Sequence, residues 1–160
     1  MTTTTSSLLA DLDALPVLWE VDGTVAAPVE AVAGLLFAIE DGRVGDDNLL
    51  VLAGSWAARR GAMTVSAVGA GSYHAEFAGA PGPVRVELHR GLCAMAVQSW
   101  YGGVHEALPS AGGTRVVHRV HQVLPEHPGF RAGIAELGMH VRMSRDLQRV
   151  LRAIADRLGC

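Results

Sequence analysis

From Pro128 to Leu158, Phe130, Ile134, Leu137, Val141, Ser144, Gln148, Leu151, Ala155 and Leu158 fall on one line at a spacing of three or four residues. That period predicts an amphipathic helix. Leu147, Val150 and Ile154 widen the stripe in its second half, while Arg142, Arg145, Arg149, Arg152 and Arg157 lie largely outside it. A helix of about 30 residues is about 45 Å long. Its apolar stripe needs a cover of comparable size.

The rest of the chain supplies a sheet. Val17–Val25 alternates, with Val17, Trp19, Val21 and Val25 on one side and Glu20 and Asp22 on the other, as a half-buried strand does. Pro28 then suits the first turn of a helix, and Val32, Leu35, Leu36 and Ile39 continue at helical spacing. A second short helix is expected over Asp47–Arg60, capped by an aspartate and stopped by Gly61. After Gly61 the period becomes two. Runs at Met63–Ala67, Tyr73–Phe77, Val84–Leu88, Leu92–Tyr101, Val104–Leu108 and Thr114–Leu124 are separated by Gly- and Pro-rich turns. The expected class is α+β. A curved, seven-stranded antiparallel sheet wraps around the long C-terminal helix, with two short helices after the first strand. Residues 1–12 read as a disordered arm and 13–160 as one domain.

Composition narrows the functions. With 160 residues, 49% hydrophobic and 18% charged, the chain can bury one core. A net charge of −3 argues against nucleic acid as the main partner. All thirteen basic residues are arginine, so Schiff-base and P-loop lysine chemistry are excluded. No apolar run is long enough for stable membrane insertion. The Thr/Ser tract at the start lacks the pattern of a signal peptide. Two cysteines, Cys93 and the terminal Cys160, suit a reducing, cytoplasmic setting.

Three local features together resemble the START-like (SRPBCC) superfamily, and within it the bacterial polyketide cyclase/dehydrase and lipid-transport branch. The first strand runs into Val25-Ala26-Ala27-Pro28-Val29-Glu30-Ala31-Val32, similar to that family's strand–Ala-Pro–helix junction. Gly113-Thr114-Arg115-Val116-Val117 is similar to the Gly-Thr-Arg opening of its last strand, and the amphipathic helix follows. The resemblance spans Leu15 to Leu158. It implies the helix-grip fold and a cavity between sheet and helix that holds a small hydrophobic molecule, such as a lipid or polyketide. The alternative it leaves open is a cyclase- or dehydratase-like enzyme with a pocket histidine as acid/base. A protein-interaction module with a filled cavity is a third class.

Residue by residue, most chemistry-bearing groups have plain readings. His118 and His121 stand three apart on a strand, so they point to opposite faces, and no converging His/Cys set predicts a metal or other cofactor. Ser55 and Ser99 lack a nucleophile elbow, and Cys93 reads as a small buried hydrophobe. Polar residues on apolar strand faces remain. His118 shares a face with Val116, Val120 and Gln122, and Gln98 and Trp100 share one with Leu92, Ala94 and Ala96. If those faces line the cavity, they orient a ligand; the opposite faces, with Arg115, His121 and Val123, remain an alternative. Trp19 and Tyr73 on their strands, and Leu137, Gly138 and Val141 on the first half of the helix, complete the expected lining. Gly133 and Gly138 within that helix are explained equally by room for a ligand and by close approach of a strand. A monomer or homodimer is expected.

Overall fold

The computed structural model describes residues 7–39, 41–43, 63–77, 82–99, 102–123 and 138–160. Along the chain these form α1 (Leu8–Asp13), β1 (Val17–Val25), α2 (Val29–Leu36), β2 (Gly42–Arg43), β3 (Met63–Gly69), β4 (Ser72–Phe77), β5 (Val84–His89), a 3-10 turn (Arg90–Leu92), β6 (Ala94–Gln98), β7 (Gly102–Ser110), β8 (Gly113–His121) and α3 (Met139–Leu158). The sheet is antiparallel throughout, in the order β1-β8-β7-β6-β5-β4-β3-β2. Seven of its strands match the expected meander, and β2 adds a two-residue edge. The expected helix over Asp47–Arg60 lies outside the described residues, as do Pro128–Leu137.

Each strand shows one face to α3 and one to the outside, and the ladders fix which. Val21 pairs with His118, His118 with His105, His105 with Met95 and Met95 with Leu88. These residues form one row across the inward face. A neighbouring row runs Trp19, Val120, Gly103, Val97, Val86, Tyr73. Against this face α3 buries Met143, Leu147, Val150, Leu151 and Ile154. The helix packs chiefly along β1. There a Cβ on Gly23 would overlap the Leu151 side chain, so this position keeps glycine to let helix and strand approach.

Two of the three features that carry the family resemblance touch each other. Thr114, fully buried at the start of β8, donates its hydroxyl to the Ala27 carbonyl at 2.7 Å. Gly113 has φ +137°, and a Cβ there would run into the Val25 carbonyl and the backbone of Ala26 and Ala27. The Gly-Thr pair therefore anchors the β1–α2 junction to the last strand. Arg115 continues the tie outside, bonding Asp22 and Glu20, and Arg119 bridges Glu20 and Glu106.

The N-terminal arm departs from expectation. Ser7 caps α1 by accepting the Ala10 N–H. Leu8, Leu9 and Leu12 bury against Ala94, Ala96 and Val104 on the outer sheet face. Short side chains there form a shallow apolar bed, and a Cβ on Gly102 would overlap Leu12. The Gly102-Gly103 pair, read as a turn, therefore lies inside β7. Leu12→Ala is expected to lower stability by about 2 kcal/mol, because a buried leucine leaves a cavity; a chemical denaturation midpoint equal to the parent's would show that α1 contributes no packing.

The long helix also starts differently. Gly138 is not an interior helical residue lining a cavity but the N-cap of α3, in the left-handed region at φ 59°. Its glycine answers to backbone conformation. The buried stripe is centred on Met143, Leu147, Val150 and Ile154 rather than on the Val141–Ser144–Gln148 line. Val141 is 54% exposed on the opposite side.

Candidate functional site

The middle of the inward face carries two buried histidines on adjacent strands. His105 on β7 and His118 on β8 are only 5% and 6% exposed. Their rings stack with centroids 3.8 Å apart and planes 19° from parallel. The strands place them there because they are direct cross-strand partners, between Val21 on one side and Met95 on the other. Burial pushes the His105 pKa down to about 4. For His118, burial first, then the neighbouring His105 and His121, hold it well below its ordinary value. Both rings are neutral at pH 7. His118 Nε2 is buried and has no hydrogen-bond partner among the described residues.

The expected lining residues separate into groups. Trp19, Tyr73 and His118 lie on the inward face. Trp19 sends its indole N–H to the Met143 sulfur at 2.9 Å, which fixes the start of α3 to β1. Tyr73 is half-buried at the far side of the same face and packs against the core. Gln98 is corrected: it belongs to the outer face with Ala94 and Ala96, and its carbonyl accepts from Arg85 at 3.2 Å. The reason is parity, since Met95 and Val97 take the inward positions on β6. Val141 points away from the sheet side, and Gly138 caps the helix, so neither gives α3 a lining role. Trp100 and Leu137 lie outside the described residues.

His105 escaped the sequence reading. Its strand reads Val104-His105-Glu106-Ala107-Leu108, with the apolar Val104 and Leu108 flanking Glu106 on the positions that face outward. Val104 packs under α1, so Glu106 alone marks the outward side by polarity. The signal that finds it is cross-strand pairing: once Gly113 closes the β7–β8 hairpin, counting back from it sets His105 opposite His118.

His121 stands on the other side of the sheet. It is buried near α1, and its Nδ1 lies 3.2 Å from the Leu15 carbonyl, to which it donates. Among the described residues no group of three His, Cys, Asp or Glu side chains could hold a metal ion. Among them, too, no helix is long and apolar enough to cross a membrane.

What the inward face can do chemically follows from these facts. Two neutral imidazoles in an apolar row offer hydrogen bonding without charge. A ring whose pKa is about 4 is a weak proton acceptor at pH 7.

No family model matches the chain, and no curated protein matches it in sequence. Solved structures do match in shape. A Thermus thermophilus protein, TTHA0849, superposes with a TM-score of 0.59 at 17% identity, covering 89% of this chain and 99% of that one. The Zhui aromatase/cyclase from Streptomyces sp. R1128 superposes with a TM-score of 0.54 at 18% identity, covering 88% and 94%. Those matches run over nearly the whole length of both chains. With the antiparallel meander, the C-terminal helix on its inner face and the Thr114 tie at the β1–α2 junction, they identify this chain's architecture as the helix-grip fold.

Proposed function

We propose that this protein binds a small, uncharged hydrophobic molecule, a lipid, polyketide or similar compound, between the inward sheet face and the C-terminal helix. The observation that carries this reading is the buried Nε2 of His118, without a partner among the described residues, in a row that beyond the two histidines is apolar. A buried polar atom without a partner costs roughly 1–3 kcal/mol. A ligand hydroxyl or carbonyl reaching it would recover that cost, while Tyr73, Val86, Val97 and Met95 supply apolar contact. Trp19, with its indole already engaged, supports the wall rather than reading the ligand.

An enzyme related in chemistry to the aromatase/cyclase neighbour would use the same pair as acid/base. The depressed pKa of His105 and His118 weighs against that, because a base for neutral pH works best with a pKa near 7. Their part in the binding reading is orientation. A cytoplasmic carrier, monomer or homodimer, suits two free cysteines.

The test uses two probes that differ by one hydroxyl, naphthalene and 2-naphthol, titrated by fluorescence. The parent protein should bind both saturably and prefer the naphthol by about tenfold, the worth of one buried hydrogen bond. His118→Leu should keep naphthalene binding and erase the preference. Absence of saturable binding of either probe would refute the proposal. An unchanged preference in the variant would remove His118 from it.

A further inference from the structure

One flank of α3, beginning beside β1 where the Gln148 amide approaches Gly23, carries its own constellation. Ser144, Arg145, Gln148, Arg149 and Arg152 line a cleft of about 460 Å³. Their positions, i, i+1, i+4, i+5 and i+8, fall on one side of a helix over a little more than two turns. All five are exposed. Arg149 pairs with Asp146, one turn back, and remains 53% exposed itself. Among the described residues no carboxylate pairs with Arg145 or Arg152. The protein as a whole is acidic, at −3, yet among the described residues this cleft is lined by three guanidinium groups and no acid.

We infer that this cleft binds a phosphate group. Three guanidinium forks, a hydroxyl and a carboxamide are the donors that satisfy a multiply charged oxyanion, and arginine binds such groups bidentately. The five groups share an open depression along a little more than two turns of one helix, so several donors reach one anion. With no carboxylate among the described residues paired to two of its three arginines, the cleft holds like charges near each other, and a dianion relieves that repulsion. A nucleic-acid track fits poorly, because the arginines occupy one short helix face on a net-negative chain. Phosphate from a free phosphorylated molecule and phosphate from a lipid headgroup offer the same chemistry here. None of its five residues belongs to the buried stripe that α3 turns to the inward face, so the site stands or falls apart from hydrophobic-ligand binding.

Calorimetric titration with inorganic phosphate at constant ionic strength is the first arm. Co-sedimentation with phosphatidylglycerol vesicles, against phosphatidylcholine vesicles, is the second. Saturable phosphate binding on the order of 1 mM or tighter is expected, the strength that two or three charge-assisted hydrogen bonds provide. The Arg145→Gln/Arg152→Gln double variant should weaken it by about tenfold or more. Arg85→Gln, on the outer sheet face, should leave it unchanged. Binding to phosphatidylglycerol vesicles alone, lost in the same double variant, would assign the site to a headgroup. No binding in either arm, or binding that the double variant retains, would overturn the inference. Thermal melts of each variant confirm folding, and among the described residues neither arginine has a partner whose loss would unfold the helix.

Discussion

Between pH 7 and pH 4 the protein is expected to lose roughly 3 kcal/mol of folding stability through His105. In the unfolded chain this ring titrates near 6.5, whereas in the folded protein burial lowers it to about 4. The native state therefore binds fewer protons than the unfolded state across that window. Its stability is complete above pH 6.5 and falls as the pH drops toward 4. At about 1.4 kcal/mol per pH unit of separation, the gap gives the figure stated. His118 acts in the same direction, since burial and its histidine neighbours lower it too. Stacking at 3.8 Å makes the second proton harder to place than the first, because a cation would then face a cation. Other groups also titrate in this range, so the comparison needs a variant. His105→Phe keeps a flat ring against His118 and removes the titrating group. Urea midpoints measured from pH 7 to pH 4 should fall less steeply for the variant, by roughly 2 kcal/mol or more over the window. Superimposable curves would mean that His105 is not held neutral by burial.

The histidine row also shows what the sequence could and could not disclose. Strand positions were legible where one face is wet. β1 was read with its observed bounds because Glu20 and Asp22 alternate with buried valines, and those acids bond Arg115 and Arg119 in the structure. Reading failed where both faces are dry. On β6 and β7, α1 covers Ala94, Ala96 and Val104, so Gln98 and Glu106 alone mark the outward side by polarity. Gln98 was thereby assigned to the inner face and His105 was missed. The same covering helix explains the N-terminal arm: a six-residue helix is too short to be stable alone, and only its docked leucines reveal it. On α3 the apolar residues were correct in kind, yet the line through Val141 was misplaced. The Val141 line could be extended only by admitting Ser144 and Gln148, both of which are exposed. Met143, Leu147, Val150 and Ile154 make an uninterrupted stripe and are the residues buried.

Where α3 rests on the sheet decides how much of the inward face it uses, and a pair of substitutions reads that position directly. Leu151→Ala should cost roughly 2–5 kcal/mol, as truncation of a buried leucine does. Gly23→Val should cost roughly 1–3 kcal/mol by itself, because its side chain would enter the space of Leu151. Together they should cost less than the sum by about 1–2 kcal/mol, since the new valine occupies the volume that the shortened side chain leaves. Equilibrium denaturation of the parent, the two single variants and the double variant closes the cycle. Strictly additive costs would mean that α3 does not meet β1 at Gly23 and that the helix lies elsewhere on the sheet. The seating bears on the proposed binding because a ligand there would compete with the helix for the same surface. A helix held at the β1 edge by Leu151 on Gly23 and by Met143 on Trp19 packs against one border of the inward face. The His105–His118 pair and Tyr73 lie farther across, on β7, β8 and β4. Side chains there are relieved of fitting the α3 stripe. That is the physical condition under which two histidines can be kept in a core whose stability they lower in acid.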